Sequence, residues 1–345
     1  MDSPEWNYAD LNLTVNDYYE SDNFLRASKI FLPCTYGLAF AFGLIGNSLV
    51  LFIYIFYEKL KTLTDVFLVS LATADLLFLS TLPFWAYSAA REWIFGSVMC
   101  KIIRGLYILN LYTSMLTLTC ITIERFIAIA QATKAHICQA KRMFWGKVIC
   151  ILVWVVSLGF AIPQFKYSTQ SDYDKSVCHA VYSSHLKELE LIFKVLQMTI
   201  GFFIPMLTMI ICYSIIIKTL LHSRSFQKHK SLKIIFTIVV LFILTQLPYN
   251  LLILLRSIHT EFYLDYKFDC AVVITEAIAY LHSCLNPILY FFIGVKFRKN
   301  FQKIIKNIRC VKHQGIMKQW QTTEEDGSKT SPASHNVEAT SMYTL

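Results

Sequence analysis

Seven stretches of this chain are long and apolar enough, or nearly so, to cross a bilayer, and this leaves it few folds. A membrane-spanning helix needs about 20 apolar residues. The stretches run Ile30–Tyr57, Val66–Ala90, Gly105–Ile123, Val148–Phe165, Val195–Ile217, Ile234–Leu255 and Cys270–Val295. The second carries only Asp75 and the seventh only Glu276, while the first and third carry no charge. Lipid offers the backbone no hydrogen-bond partners, so each stretch should be helical. A soluble chain could bury one or two such helices, but not seven. The expected fold is an all-α membrane protein, a seven-transmembrane helix bundle. Composition agrees: 55% hydrophobic and 16% charged residues, against about 45–50% and about 25% in soluble domains. An ordinary soluble enzyme is thereby excluded. No internal repeat supports an inverted-repeat transporter.

An odd number of spans puts the two ends in different compartments, and Lys/Arg bias gives the orientation. Arg125 aside, the loops between spans one and two, three and four, five and six, together with residues 296–312, hold 18 Lys and Arg; the opposite side holds 11. The first set should be cytoplasmic and the amino terminus extracellular, as in a multi-pass plasma-membrane protein. The net charge of +9 is mostly this inner collar, so nucleic acid is not an expected partner. Residues 1–29 lack a cleavable signal pattern, so span one is expected to act as the targeting signal.

The expected layout is an acidic, disordered N-terminus (1–29), the bundle (30–295), an amphipathic interfacial helix (296–310) and a Ser/Thr-rich disordered tail (311–345). In the interfacial helix apolar residues recur among lysines, which suits a membrane surface; Cys310 behind it could carry palmitate. Four of the ten cysteines fall on the outer side: Cys34, Cys100, Cys178 and Cys270. They allow three pairings. A Cys100–Cys178 bridge would pin the long loop after span four across the bundle mouth, leaving Cys34 and Cys270 to tie spans one and seven. Four free thiols would be unusual in an oxidising compartment.

Ionisable residues inside a membrane are functional candidates by default. Asp75 sits near the middle of span two, where Ser114 and Asn286 could approach it to make a pocket for a sodium ion and a few waters; a core carboxylic acid is the plainer alternative. Arg125 ends span three and needs a partner, which Glu124 can supply; a headgroup anchor is the alternative. Glu276 could bind a basic ligand group or pair internally with Lys194 or Arg104. Among residues 1–29, six acids face two bases, a segment suited to steering a basic partner. Tyr18 and Tyr19 lie among Asp17, Glu20 and Asp22, a context that favours sulfation, and Asn12-Leu13-Thr14 is a glycosylation sequon. Neither a His-Glu-x-x-His metal motif nor a Gly-x-Ser-x-Gly nucleophile turn is present, so no enzyme is expected.

Each span also carries a family marker: Gly46-Asn47; Leu71-Ala72-Thr73-Ala74-Asp75; Glu124-Arg125-Phe126; Trp154; Pro205 with Tyr213; Phe242 with Pro248; and Asn286-Pro287-Ile288-Leu289-Tyr290. Over about residues 30–310 the chain resembles the rhodopsin-like (class A) G-protein-coupled receptors. Thr81-Leu82-Pro83-Phe84-Trp85, Glu276 and the second outer cysteine pair are similar to the chemokine receptors. Gln246, where most relatives carry Trp, and Phe126, where most carry Tyr, resemble the CXC branch.

The resemblance implies a receptor for a CXC chemokine, here a membrane-tethered one. It implies coupling to an inhibitory heterotrimeric G protein and engagement of receptor kinases and arrestin by the tail. The chemokine amino terminus would enter the bundle mouth, with Glu276 holding its amine and Trp85 and Tyr107 lining the pocket. Outward movement of span six would then open a cytoplasmic cleft in which Arg125, Tyr213 and Tyr290 rearrange, with Glu124, Gln246, Pro248, Asn286 and Pro287 belonging to the same coupling and activation set. A scavenging receptor without G-protein signalling is the alternative, and the intact Arg125 argues against it.

Overall fold

The computed structural model describes residues 8–130, 139–172, 176–182, 187–221, 226–258, 266–293 and 297–306. Seven helical spans in it are long and apolar enough to cross a membrane. Span one is α1 (Tyr8–Phe52), finished by a wide π-type turn over Ile53–Glu58. Span two is α2 (Leu63–Leu79) and α3 (Leu82–Ala90). Spans three and four are α4 (Gly96–Ala130) and α5 (Gln139–Tyr167). Span five joins α6 (Lys187–Met198) to α7 (Ile204–Leu221) through a second π-type turn, Thr199–Phe203. Spans six and seven are α8 (Phe226–Ile258) and α9 (Tyr266–Ile293).

Local chemistry sets several of these boundaries. Lys59 and Leu60 adopt left-handed conformations (φ 55° and 46°) that stop span one. Thr62 then opens α2 with a capping box: its hydroxyl accepts from Asp65 N–H at 3.2 Å and Asp65 Oδ2 accepts from Thr62 N–H at 2.8 Å. Span two breaks because Ser80 and Thr81 hydroxyls donate back to the Leu77 and Phe78 carbonyls (2.7 and 2.6 Å) and Pro83 brings no N–H to the first turn of α3.

One expectation is corrected, and the expected all-α bundle carries one short addition. Residues 1–29 were expected without regular structure, yet α1 begins at Tyr8. No Gly or Pro interrupts residues 8–29, and Asp22 pairs with Arg26 one turn later at 2.8 Å. The fold is also not purely helical. Ser168–Asp172 (β1) and Ser176–Ala180 (β2) form an antiparallel hairpin with Gln170 opposite Cys178. These two short strands carry no long apolar alternation that would mark them.

The bundle is apolar on its outer surface and gathers its buried polar groups inside an otherwise apolar core. Ile151, Leu152, Val155 and Ile162 of α5 face outward, whereas Asn47, Asp75, Ser114, Gln246 and Ser283 are fully buried. α4 is the hub, packing on α2, α5 and α7, while α1 and α8 pack on α9. Trp154 Nε1 donates to Ser70 Oγ at 2.9 Å, joining α5 to α2. In the separate C-terminal unit, residues 297–306 form α10, with Arg298, Lys299, Lys303 and Lys306 exposed and Phe301, Ile304 and Ile305 half-buried. Cys310 and residues 311–345 lie outside the described residues.

Glycine allows one close helix contact in particular. A Cβ on Gly105 of α4 would sit 2.2 Å from the Phe165 ring of α5, whereas one on Gly159 would meet nothing within 4 Å. Gly105→Ala is expected to destabilise by about 1–3 kcal/mol through overpacking. Gly159→Ala should be neutral or stabilising by up to about 1 kcal/mol, because alanine is the better helix former. Thermal unfolding of the two variants in detergent checks the pair.

Candidate functional site

Three polar centres lie along the bundle, and α4 contributes to each. The first is an outer cavity of about 350 Å³. The sequence-predicted residues Glu276, Trp85 and Tyr107 all line it, and the structure adds Arg104, Lys194 and Tyr249. Its floor is aromatic. Tyr107 packs on Tyr280 and Phe78 with ring centroids 5.1 and 5.7 Å apart, and Trp85 packs on Tyr280 at 6.2 Å. Glu276 accepts a 2.8 Å hydrogen bond from Tyr280 Oη one turn along α9. Neither internal pair considered for Glu276 forms. Lys194 instead meets Glu190 at 2.6 Å, and Arg104 Nε donates to Gln164 Oε1 at 3.1 Å. At the rim, burial and the nearby Glu190 push the Tyr182 phenol up to about 12, so it stays a protonated donor.

The cavity mouth is held open by its own hydrogen bonds. The Cys100–Cys178 disulfide ties α4 to β2 as expected. Trp93, fully buried, donates its backbone N–H to the Ser176 carbonyl at 2.8 Å and its indole N–H to the Gly96 carbonyl at 3.0 Å. Gly96 N–H donates to Gln170 Oε1 at 3.1 Å, at a glycine whose φ of +78° turns the chain into α4. The second expected bridge is not formed: Cys34 is an exposed free thiol. It sits inside the unbroken α1, next to Pro33, and the helix fixes its direction.

The second centre surrounds Asp75. Its two carboxylate oxygens accept from Asn110 Nδ2 at 3.0 Å and Asn286 Nδ2 at 2.8 Å. His282 Nε2 lies 3.9 Å away. Asn286 was expected here; Asn110 and His282 were missed, although each sits one turn before a residue that was singled out, Ser114 and Asn286. A buried Asn or His inside an apolar span was the available signal. Ser114 Oγ and Asn110 Oδ1 are buried without a protein partner. Oxygens of that kind beside a carboxylate fit a small hydrated cation. Gln246, fully buried, ties α8 to α9 by donating to the Ala279 carbonyl (2.8 Å) and lying 2.7 Å from His282 Nδ1. Pro248 follows within α8 and Pro287 within α9.

The third centre closes the opposite end of the bundle. Arg125 Nη2 donates to Thr64 Oγ1 at 2.6 Å, and Arg125 Nε meets Glu124 at 3.3 Å. Thr64 Oγ1 in turn donates to Glu124 Oε2 at 3.2 Å, so α2 and α4 share one triad. Thr64 was missed by the sequence reading. Tyr213, nearly buried, packs edge-on against Phe236 of α8 at 5.3 Å. Tyr290 lies in α9, but its side chain is outside the described residues, as are those of Asn12, Asp17, Tyr18, Tyr19 and Glu20.

Residues 46–290 match the family model described as 7 transmembrane receptor (rhodopsin family). C-C chemokine receptor type 9 of Homo sapiens is 40% identical over 333 residues, covering 92% of this chain and 88% of the relative. The Ovis aries receptor of the same description is 39% identical over 329 residues, with the same coverage. C-C chemokine receptor type 7 of Bos taurus is 39% identical over 329 residues, covering 91% of this chain and 86% of the relative.

Asn110→Ala removes one of the two amide donors to the buried Asp75. It is expected to cost about 1–3 kcal/mol, the usual penalty for stranding a buried polar group. Ser114→Ala, which removes an atom that bonds nothing in the protein, should cost less. Thermal melts of the purified receptor in sodium-free buffer separate the two.

Proposed function

Because the chain belongs to the rhodopsin-like seven-transmembrane receptors and, within them, to the chemokine receptors, we propose that it converts binding of a CXC chemokine outside the cell into activation of an inhibitory G protein inside. It is a multi-pass membrane signalling receptor and not an enzyme. The observation that carries the reading is the reach of α4. One helix supplies Arg104 and Tyr107 to the outer cavity and Glu124 and Arg125 to the opposite end. At 1.5 Å per residue these sites stand about 30 Å apart on a single rigid element.

The amino terminus faces outward in this reading, as the Lys/Arg bias supports. The acidic segment with Asp17, Tyr18, Tyr19 and Glu20 steers a basic chemokine, strengthened by sulfation of the two tyrosines; Asn12 carries a glycan. The ligand's flexible amino terminus enters the cavity and its amine meets Glu276. Asp75, Ser114 and Asn286 would hold a sodium ion with a few waters. Ligand binding shifts the population only through contacts that differ between two helix arrangements. The ties that must yield are Gln246 to α9 and Arg125 to Thr64. Release of Arg125 and outward movement of α8 admit the G protein. The Ser/Thr-rich tail then recruits receptor kinases and arrestin, α10 lies on the inner leaflet, and the cellular outcome is leukocyte chemotaxis or retention.

The CXC assignment rests on Gln246, Phe126 and the segments Phe226–Phe236 and Ser334–Met342, which resemble C-X-C chemokine receptor type 6. That points to the membrane-tethered C-X-C chemokine ligand 16. A second reading has a specific observation behind it. The relatives named above are C-C receptors, so a C-C chemokine is the competing ligand class.

The soluble domain of C-X-C chemokine ligand 16 and a panel of C-C chemokines are the agonists to compare on transfected cells, with cyclic AMP and arrestin read together. A pertussis-toxin-sensitive fall in cyclic AMP with the former supports the proposal. A response confined to C-C chemokines transfers the ligand class, and arrestin recruitment alone marks a scavenger. Arg125→Ala should abolish the cyclic-AMP response while leaving chemokine binding within about twofold, because Arg125 lies about 20 Å along α4 from Tyr112, the nearest cavity-lining residue of that helix. Gln246→Leu keeps the volume and cuts the α8–α9 tie. It should raise ligand-independent signalling, measured as basal nucleotide exchange in membranes; unchanged basal exchange would show that the tie does not restrain α8.

A further inference from the structure

We propose that Arg104 is the anion-binding half of the ligand site: it receives a carboxylate carried by the same ligand segment whose cationic group meets Glu276. The inference rests on the reading that the outer cavity takes the ligand's amino-terminal segment, and it adds a second charge requirement to that segment.

The argument starts from the charges lining the cavity. Three Lys and Arg side chains do so: Arg104, Lys194 and Arg256. Lys194 is paired with Glu190 at 2.6 Å and also donates to Ser257 Oγ at 3.0 Å. Arg256 is paired with Asp269. Arg104 has no carboxylate partner among the described residues. Its one bond runs from Nε to the neutral Gln164 Oε1 at 3.1 Å, and that oxygen also accepts from Ser168 Oγ at 3.1 Å. The stem is therefore fixed by α5 and the start of β1, while the terminal nitrogens have no acceptor among the described residues. Glu276, the acid across the cavity, is engaged by Tyr280.

The surroundings ask for the same kind of group. Tyr107, one turn along α4 and 8% exposed, has a buried hydroxyl without a partner, and so has the Trp85 indole N–H. These are donors lining a cavity that also holds an unpaired guanidinium. An arginine cannot shed its charge. A neutral peptide thread filling the cavity would strip water from Arg104 without replacing it, a large desolvation cost. A carboxylate removes that cost and can accept from both terminal nitrogens at once. The recognised segment is thus dipolar, with an amine for Glu276 and an acid for Arg104.

The test uses the full-length receptor on cells and a series of soluble chemokine domains. In the series, each position ahead of the chemokine's folded domain carries Asp, Asn or Lys in turn. Cyclic-AMP inhibition is read for wild type, Arg104→Gln and Arg104→Glu, with surface expression measured in parallel. At one ligand position the wild type should prefer Asp over Asn by about tenfold in potency, as expected for a charge-assisted pair. Arg104→Gln should flatten that preference, and Arg104→Glu should shift it to Lys. A gained response to Lys cannot arise from a misfolded receptor. If Arg104→Gln weakens Asp and Asn ligands equally, or leaves the preference intact, the inference is overturned while the chemokine-receptor reading stands. If no chemokine in the series activates the wild type, the chemokine reading of the cavity falls and the inference falls with it.

Discussion

Lipid gives a polar group nothing to bond to, and the structure follows from that one refusal. It forces the backbone into helices and every polar side chain in the spans to find company inside the protein. The interior is accordingly where the specific chemistry sits. Asp75 is met by two asparagine amides from different helices. Trp154 reaches Ser70, and Asn47 Nδ2 reaches the Ser283 carbonyl at 2.9 Å. These bonds join α2, α4, α5, α1 and α9 in pairs. In lipid the hydrophobic effect does not hold helices together, so packing and such bonds must do it.

The same rule explains how a bundle can be both firm and switchable. A tie between helices that consists of one or two hydrogen bonds can be exchanged for another at little net cost. Gln246 bonded to Ala279 and His282 is a tie of this kind, as is Arg125 bonded to Thr64. An aromatic at position 246 would have restrained α8 by its bulk. Glutamine restrains it by direction, and direction is lost when α9 shifts by a fraction of a helical turn.

Much of this was legible in the sequence because the spans are written in the plainest code a chain has, long apolar runs bounded by charge. All seven stand where hydropathy puts them. Residues singled out as charges in the wrong solvent were also placed well: Asp75, Glu276 and Arg125 each occupy a distinct polar centre. What the sequence hid is of three physical kinds. Partners on other helices, such as Thr64 and Asn110, are ordinary residues until packing brings them to a charge. The β1–β2 hairpin is stabilised by tertiary bonds to Gly96 and Ser97 rather than by its own pattern. The helical start at Tyr8 depends on an absence of breakers and on a pair such as Asp22–Arg26, weak signals beside the acidity that suggested a segment without regular structure. Cys34 and Cys270 show the reverse, where counting thiols proposed a bridge that the structure does not form.

The hairpin at the mouth has a further consequence. It is fastened at both strands: β1 through Gln170 to Gly96 and Ser97, and β2 through the disulfide and Ser176 to Trp93. An element fastened at both edges behaves as a fixed rim, not as a lid. A ligand arriving at such a rim would lose little free energy to ordering it. Residence time is then set inside the cavity, by contacts a threaded segment makes one after another. Discrimination between partners begins earlier, with the simple geometric question of what can pass a rigid aperture at all.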